Sequence, residues 1–336
     1  MKLIPTEVIW FDGKLVPWHE AQIHVLSHTL HYGGGVFEGL RAYNTPRGPG
    51  LVRLADHMTR MIHSCRIIGM ELPYDAQALC NAVIETVTRN GLEEGYIRPI
   101  AFRGYGQLGV DPTGTPLSVI IAAWPLGGYF GEAAREKGIR MGVSSWRRMA
   151  PDTHPALAKA VGNYLNSQMI KLEARRHGYD DGIALDVDGY ISEASGANFF
   201  LVREGEIWTP SIGSSILRGI TRACVIKLAR ERGINVREER IPRSALYDTD
   251  EVFLSGSAAE VTAVVEIDGR TIGDGTFGPV ARTLRDAYLD IVRGRVEDRF
   301  GWMTILPPVK KVAAGTPPKV RAPARTAAEK RAQARG

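Results

Sequence analysis

The sequence is poor in cysteine and contains no long apolar run. Its 336 residues include only three cysteines, Cys65, Cys80 and Cys224, which are widely spaced and odd in number. This pattern predicts neither a disulfide framework nor a metal site, and it is typical of the reducing cytoplasm. No apolar stretch approaches the roughly 18 residues of a membrane helix, and "MKLIPTEVIWFDGK" at the N-terminus lacks the apolar region of a signal peptide. We therefore expect a cytoplasmic protein without a membrane span.

The sequence also lacks the common nucleotide-binding motifs. It contains no G-x-x-x-x-G-K-[ST] and no G-x-G-x-x-G that follows a predicted strand, which argues against P-loop and Rossmann proteins. It has no internal repeat. Its composition, 44% hydrophobic and 24% charged, is that of a globular protein with a substantial core.

Positive charge is scarce in the body of the chain and concentrated at its C-terminal end. The net charge is +5, but residues 307–336 hold eight Lys or Arg and one acid, which leaves −2 on residues 1–306. The segment has five prolines and no aromatic residue, so we predict a disordered basic extension. A polyanion-binding module that uses this extension is a remote alternative, and nucleic-acid contact is not expected to be the main function.

Turn signals predict β-hairpins along the body. Asp12-Gly13, Asp188-Gly189 and Asp268-Gly269 each lie between short β-prone runs, the pattern of a two-residue hairpin turn. The segments "ANFFLV" and "EIW" extend a meander across Glu204-Gly205. The nearly continuous apolar run "LSVIIAAW", residues 117–124, predicts a strand buried on both faces.

Helical periodicity predicts four helices between these strands. Three cover about residues 53–68, 77–89 and 221–232. The fourth follows Lys159, carries an apolar stripe, and ends at Gly178. The members of that stripe are Leu165, Met169 and Leu172.

A glycine-rich stretch near the middle of the chain predicts two lobes. We interpret residues 126–134 as an interdomain linker. It separates a smaller N-terminal α+β domain at 1–125 from a larger C-terminal α+β domain at 135–306. The predicted fold class is therefore mixed α+β, with residues 307–336 as a tail.

One lysine has unusual neighbours. In "PALAKAVGNYLNSQMI", Lys159 lies among small residues that allow another group to approach closely, and Tyr164 follows five residues later. A lysine held in a desolvated pocket is a nucleophile for Schiff-base chemistry. The alternative is an ordinary solvated lysine near a helix start.

Two segments are suited to anions. In "SILRGITRACV", Gly219 and Thr221 open a predicted helix whose N–H groups and dipole could hold a phosphate, although a plain threonine cap has the same pattern. "FLSGSAAE" brings hydroxyl and backbone N–H groups into a loop after a strand, where the alternative is a polar turn.

Three further segments hold candidate binding groups. Glu193 ends a strand in "YISEASGANFF" and could face the ring nitrogen of a cofactor or remain solvated. In "GYIRPIAFR", Arg98 shares a strand face with Tyr96 and could bind a carboxylate bidentately, or lie as a charge at a sheet edge. "HYGGGVFEGLRAY" suggests either an aromatic-lined pocket or a glycine-rich turn.

In order and separation, these motifs resemble the class IV pyridoxal-phosphate aminotransferases, and among them the bacterial branched-chain amino acid aminotransferases. The likeness rests on "HYGGGVFEGLRAY", "YIRP", "AKAVGNYL", "EARRHGYDDGIALDVDGYISEASGANFF", "LRGITR" and "DEVFLSGSAAEVTAV", and it covers about residues 5–305. It implies a two-lobe α+β fold with pyridoxal 5′-phosphate between the lobes, and a homodimer at least.

The resemblance also implies two groups of site residues. The cofactor group is Arg60, Lys159, Tyr164, Glu193, Leu217, Ile220, Thr221 and Ser257. The substrate group is Tyr32, Phe37, Gly39, Tyr96, Arg98, Tyr129, Ser257 and Ala258. Lys159 would form the Schiff base, Arg60 would pair with the phosphate, and Glu193 would pair with the pyridine N–H. Arg98 would bind the distal carboxylate of glutamate.

The implied activity is amino transfer between L-leucine, L-isoleucine or L-valine and 2-oxoglutarate, in branched-chain amino acid biosynthesis. Other class IV activities are alternatives: a D-amino acid transaminase, an (R)-amine transaminase or an aminodeoxychorismate lyase. The arginine of "YIRP" and the segment "VFEGLR" favour the branched-chain activity.

Overall fold

The computed structural model describes residues 3–308 and contains two β-sheets with helices packed against them. The α+β fold class is therefore confirmed. The predicted basic extension lies almost wholly outside the described residues. Within residues 3–308, no helix is long and apolar enough to cross a membrane.

The first sheet has eight strands in the order β17-β5-β4-β6-β7-β1-β2, with β3 paired to β6. Its strands are β1 (Val8–Phe11), β2 (Lys14–Pro17), β3 (Gly35–Phe37), β4 (Leu40–Thr45), β5 (Gly48–Val52), β6 (Gly95–Arg103), β7 (Leu117–Trp124) and β17 (Met303–Ile305). The helices of this part are α1 (His28–Tyr32), α2 (Leu54–Ile67) and α3 (Ala76–Arg89). Apolar residues of α2 and α3 pack on one face of the sheet and form the first core.

The second sheet has nine strands, eight of them in the order β10-β9-β8-β15-β14-β11-β12-β13, with β16 paired to β15. Its strands are β8 (Ile139–Val143), β9 (Asp181–Leu185), β10 (Ile191–Ala194), β11 (Asn198–Arg203), β12 (Glu206–Pro210), β13 (Val236–Glu239), β14 (Glu251–Gly256), β15 (Glu260–Ile267) and β16 (Arg270–Thr271). The helices are α4 (Glu132–Lys137), α5 (Tyr164–Arg176), α6 (Ile220–Glu231) and α7 (Pro279–Val292).

This second sheet is buried on both faces. In β11, Phe199 and Leu201 belong to one core cluster, whereas Phe200 and Val202 belong to another that includes side chains of α6 and α7. Alternating residues of a strand point to opposite faces, so a strand buried on both sides reads as a continuous apolar run.

Strand β7 has a similar apolar run but a different burial. The segment is a strand with the predicted bounds, but only one of its faces is fully buried. Val119, Ile121 and Ala123 are completely inaccessible, whereas Ile120 and Ala122 on the other face are half-buried. The prediction of burial on both faces is therefore wrong, because apolar residues on a partly open face produce the same unbroken run.

The predicted hairpins are confirmed by strand pairing. β1 pairs with β2 across Asp12-Gly13, β9 with β10 across Asp188-Gly189, and β15 with β16 across Asp268-Gly269. The meander across Glu204-Gly205 joins β11 to β12. Asp12 and Asp268 have a positive φ, which Asp tolerates better than most side chains, and Glu204 has one as well.

The four predicted helices are present, but the stripe predicted for α5 is wrong. Leu165 and Leu172 are exposed, and the buried side of α5 is formed by Ser167, Ile170 and Ala174. Ile170 approaches Gly182 of β9 so closely that a Cβ there would lie 2.7 Å from its methyl group. Small residues on both elements, rather than the leucines, determine which side of α5 packs.

Two elements lie across the predicted boundaries of the lobes. α4 lies partly in the stretch interpreted as a linker, and β17 leaves the C-terminal part to pair with β5 at the edge of the first sheet. Helix α7 falls in a region where no helix was predicted. The last residues before 306 thus connect the second half of the chain to the first sheet.

Candidate active site

The candidate site is an open cavity between the two sheets, with about 930 Å³ of empty space when its opening to solvent is included. Thirteen of the fifteen residues singled out above line it. They are Phe37, Arg60, Tyr96, Arg98, Tyr129, Lys159, Tyr164, Glu193, Leu217, Ile220, Thr221, Ser257 and Ala258. Gly39 and Tyr32 do not line it.

Lys159 is held at the junction of the two halves of the chain. Its backbone N–H donates to Ser64 Oγ at 3.1 Å, and its carbonyl accepts from the Phe37 N–H at 3.1 Å. The neighbouring alanines, Ala158 and Ala160, are buried, and the lysine itself is half-buried. The small residues beside the lysine therefore allow its backbone to pack between α2 and β3.

The amine of Lys159 is directed to a tyrosine. Its Nζ donates a hydrogen bond to the Tyr164 hydroxyl at 2.7 Å and lies 4.9 Å from the centre of the Phe37 ring. Tyr164 begins α5, and its ring meets that of Phe37 edge to face at 4.6 Å. The amine is thus fixed inside the cavity by two aromatic side chains rather than by a carboxylate.

Glu193 lies at one end of the cavity and has a charged partner that sequence reasoning missed. Its Oε1 lies 2.9 Å from Arg148 Nη2, and both side chains are more than nine-tenths buried. Its Oε2 accepts from the Asn198 amide and from the Leu217 N–H, each at 3.1 Å. Burial raises the pKa of Glu193, and attraction to Arg148 opposes that rise.

Arg60 lies at the opposite end, where α6 begins. Its side chain donates to the Glu38 carboxylate from Nε at 2.7 Å and from Nη2 at 2.8 Å. Its Nη1 donates to the Arg218 carbonyl at 2.9 Å, just before the helix. Burial opposes its charge, but attraction to Glu38 prevails and raises the pKa of Arg60.

The start of α6 provides anion-binding groups next to Arg60. The residue before the helix is Gly219, and no side chain caps the first turn. A Cβ at Gly219 would lie 1.8 Å from Asn198 Oδ1, so glycine allows the helix start to approach the Glu193 network. Thr221 is buried within the helix and does not cap it, so the alternative of a plain threonine cap is wrong.

Aromatic side chains and one arginine form another wall. The Arg98 guanidinium lies 4.7 Å from the centre of the Phe37 ring and 5.4 Å from that of Tyr96. Tyr129 completes this wall. Gly39 stands behind it, because a Cβ there would lie 1.8 Å from the Tyr96 hydroxyl. Glycine at this position therefore allows Tyr96 to occupy its place in the wall.

Tyr32 lies outside the cavity of its own chain. It ends α1, its side chain is 47% exposed, and its ring contacts that of His28 at 4.6 Å. The substrate-binding role predicted for Tyr32 is therefore not supported within a single chain.

The turn at Ser257 and Ala258 is held by an arginine outside the cavity lining. Arg41 donates to the Ser257 carbonyl at 3.0 Å and to the Ala258 carbonyl at 2.8 Å. Because Arg41 binds both carbonyls, it fixes the turn at the edge of the cavity. Arg41 is fully buried and belongs to the quoted segment "VFEGLR", but nothing in the local sequence indicates its partners.

The donor and acceptor groups of the cavity fit a phosphorylated heterocycle. Arg60 and the α6 start offer N–H groups at one end, and the Glu193 carboxylate offers an acceptor for a ring N–H at the other. Among the described residues, Ser255 Oγ, Arg98 Nε and Arg148 Nε are buried without a hydrogen-bond partner, and all three residues line the cavity. Such atoms indicate polar groups that a ligand or water satisfies.

Comparisons with known proteins identify the family. The family model of amino-transferase class IV matches residues 35–267. The chain is 48% identical over 298 residues to the branched-chain-amino-acid aminotransferase of Escherichia coli K12, covering 88% of this chain and 96% of that one. It is 44% identical over 299 residues to the Pseudomonas aeruginosa protein of the same name, covering 89% and 97%.

A solved structure agrees with the fold. A branched-chain amino acid aminotransferase from T.th., determined with pyridoxamine 5′-phosphate, is 46% identical and superposes with a TM-score of 0.87. The match covers 90% of this chain and 99% of that structure. The chain therefore belongs to the class IV aminotransferases and is a transaminase.

Proposed function

We propose that the protein is a branched-chain amino acid aminotransferase that uses pyridoxal 5′-phosphate. The reaction is reversible amino transfer between L-leucine, L-isoleucine or L-valine and 2-oxoglutarate. The observation that carries the proposal is the Lys159–Tyr164 hydrogen bond of 2.7 Å inside a cavity with an anion-binding end and a carboxylate end. The names of the relatives support the same substrate class.

The cofactor is held at its two ends. Arg60, the N–H groups at Ile220 and Thr221, and the Ser257 hydroxyl would bind its phosphate, and Glu193 would accept from its ring nitrogen. Leu217 would pack against the ring. When bound, the cofactor supplies an electron sink for the carbanion formed at the substrate Cα.

Lys159 has two tasks in this proposal. Its Nζ is the amine that attaches the cofactor, and when free it would take the proton from the substrate Cα as a general base and deliver it to the cofactor as a general acid. The Tyr164 hydroxyl, 2.7 Å away, keeps the amine in place during both tasks.

Substrate selection rests on the aromatic wall. Tyr96 and the Ser257-Ala258 turn would hold the α-carboxylate, and Phe37 and Tyr129 would contact an apolar side chain. Arg98 lies over the rings of this wall, so its guanidinium can meet the distal carboxylate of glutamate at the edge of the apolar surface. One cavity can therefore accept both substrates.

We also propose that the protein acts as a homodimer at least, in the cytoplasm. Residues 23–32 and 105–110 each carry exposed apolar side chains. The two segments contact each other, since His28 Nε2 lies 2.9 Å from the Gly109 carbonyl. Val25 is 73% exposed and Val110 is 87% exposed, a large apolar area for water to cover.

The three cysteines are free and buried, as suits a reducing compartment. Sedimentation of the wild type and of Val110→Asp tests the dimer, and cell fractionation tests the compartment.

Substrate assays test the activity. With 2-oxoglutarate as acceptor, L-leucine, L-isoleucine and L-valine should be converted to keto acids, and D-alanine and an (R)-amine should not. Lys159→Ala is the control without the attaching amine. Conversion of D-alanine or the (R)-amine without any turnover of the three L-amino acids would assign the chain to another class IV activity.

A further inference from the structure

A fully buried carboxylate lies behind the anion-binding end of the cavity. Glu38 follows β3 directly, has no exposed surface, and is not part of the cavity lining. Its N–H donates to the Pro99 carbonyl at 2.8 Å, which fixes its backbone on β6. Its carboxylate accepts two hydrogen bonds from Arg60 and one, at 2.7 Å, from His57 Nδ1.

The hydrogen bonds determine the protonation of this cluster. Burial alone would raise the pKa of Glu38, but Arg60 and His57 together hold it well below its ordinary value. Burial lowers the pKa of His57 despite the neighbouring carboxylate, so its ring is neutral. An ionised carboxylate only accepts, so the ring proton is on Nδ1 and His57 Nε2 is left as an acceptor.

Both partners of Glu38 lead to the cavity. Ser257 Oγ, part of the lining, lies 3.5 Å from His57 Nε2. A guanidinium has five N–H donors. Three on Arg60 are engaged, two by Glu38 and one by the Arg218 carbonyl, so two remain for an anion. The bidentate contact fixes the plane of the guanidinium and therefore the direction of those two donors.

We propose that Glu38 and His57 are positioning residues for the phosphate of the ligand. Glu38 orients Arg60 and, through Arg218, the chain that enters α6. His57 orients the hydroxyl of Ser257. One buried carboxylate thereby aligns three sets of phosphate contacts, none of which it makes itself. The ligand is the cofactor of the proposed function, and the inference rests on that function.

A purely electrostatic role makes the opposite prediction. If Glu38 only neutralised Arg60, then Glu38→Gln would free a positive charge and strengthen phosphate binding. If Glu38 orients Arg60, then Glu38→Gln weakens phosphate binding despite the more positive site. In metal sites, loss of a group that orients a ligand residue costs about 10- to 100-fold in affinity, and we expect an effect of the same order here.

The experiment measures binding to the full-length chain after removal of its cofactor. Equilibrium titrations use pyridoxal 5′-phosphate, pyridoxal and inorganic phosphate as separate ligands. For Glu38→Gln we expect about 10-fold weaker binding of the two phosphate-bearing ligands and unchanged binding of pyridoxal. Glu251→Gln is the matched control, because Glu251 is a buried glutamate that caps α7 away from the cavity.

His57→Asn serves as a second variant if Glu38→Gln does not fold. Its amide can still donate to Glu38 but cannot reach Ser257, so phosphate affinity should fall by a smaller factor, about threefold. Unchanged or tighter phosphate binding in these variants overturns the proposal, and so does an equal loss for pyridoxal. If the wild type binds inorganic phosphate but not pyridoxal 5′-phosphate, the proposed cofactor is wrong and the inorganic phosphate titration still tests the positioning role.

Discussion

The two ends of the cavity each hold an arginine paired with a glutamate, but only one of the two glutamates lines the cavity. At the α6 end Arg60 lines the cavity and Glu38 lies behind it, completely buried. At the other end both members of the pair line the cavity: Glu193 offers its carboxylate beside Leu217, and Arg148 is its counter-ion. One end therefore offers donors and the other an acceptor.

The comparison shows how one cavity holds charged groups of opposite sign. A buried charge without a partner is strongly destabilising, so each functional group needs a counter-ion. The pKa values of the two glutamates differ in consequence: that of Glu38 is held low, whereas burial raises that of Glu193. A ligand with a phosphate at one end and a ring N–H at the other fits this order and does not fit its inverse.

The largest expected effect is at the carboxylate end. Glu193→Gln replaces an ionised acceptor by a neutral amide, which cannot stabilise a protonated ring nitrogen. We expect kcat to fall about 10²- to 10³-fold while cofactor affinity changes little. Steady-state kinetics at saturating cofactor, with affinity measured in parallel, check this. Equal losses of kcat and of cofactor affinity would contradict separate roles for the two ends of the cavity.

Arg60→Met should have the opposite effects on kcat and on cofactor affinity. It removes the two donors that face the anion, so affinity for pyridoxal 5′-phosphate should fall roughly 10- to 100-fold. At saturating cofactor, kcat should be largely retained. Arg293→Met, which breaks a pair with Glu94 outside the cavity, is the control. A variant with unchanged affinity but low kcat would contradict the assignment of Arg60 to the phosphate.

Arg148→Met tests whether Arg148 controls the pKa of Glu193. Without the guanidinium, the pKa of Glu193 should rise further, because Arg148 is the largest of the influences that oppose the effect of burial. Glu193 must be ionised to accept the ring N–H, so the acidic limb of the kcat profile should move to higher pH by about one unit or more. Arg148→Lys retains a positive charge and should show a smaller shift. An unmoved profile in Arg148→Met would show that Arg148 does not control Glu193.

The smallest effect concerns stability at the Arg60 end. The pKa of His57 is lowered in the folded chain, so the unfolded chain binds more protons below about pH 6.5, and stability falls as pH decreases. Glu38 adds to this loss below the ordinary pKa of a glutamate, since its folded pKa is depressed. Urea unfolding between pH 7 and 5 should show His57→Asn with a slope shallower by up to about 1.4 kcal/mol per pH unit. An identical slope would contradict a neutral buried His57.

Local sequence signals predicted much of the fold. The Asp-Gly turns and the helical stripes of α2, α3 and α6 depend on neighbouring residues, and they reappear in the structure. The pairing of β17 with β5 joins residues some 250 positions apart, which no local pattern encodes. Helix α7 was missed although its amphipathic spacing and the proline at its first turn are readable signals.

For the site, motif resemblance located thirteen residues of the lining but not the charged partners of Arg60 and Glu193. Glu38 stood in a quoted segment and was assigned nothing, because a buried counter-ion and a surface charge have the same local sequence. Arg148 lay in "SSWRRMA", where two adjacent arginines give no indication of which one is buried. Supporting residues are defined by distant contacts, so they emerge only from coordinates.

We propose Lys159 as the amine to which the cofactor attaches between these two ends. Borohydride reduction of the protein loaded with pyridoxal 5′-phosphate, followed by mass spectrometry of its peptides, tests this role. We expect a visible absorption band that changes on addition of L-leucine, and one phosphopyridoxyl group on Lys159 that is absent in Lys159→Ala. A stable modification on another lysine, or a colourless protein that does not take up the cofactor, would contradict it.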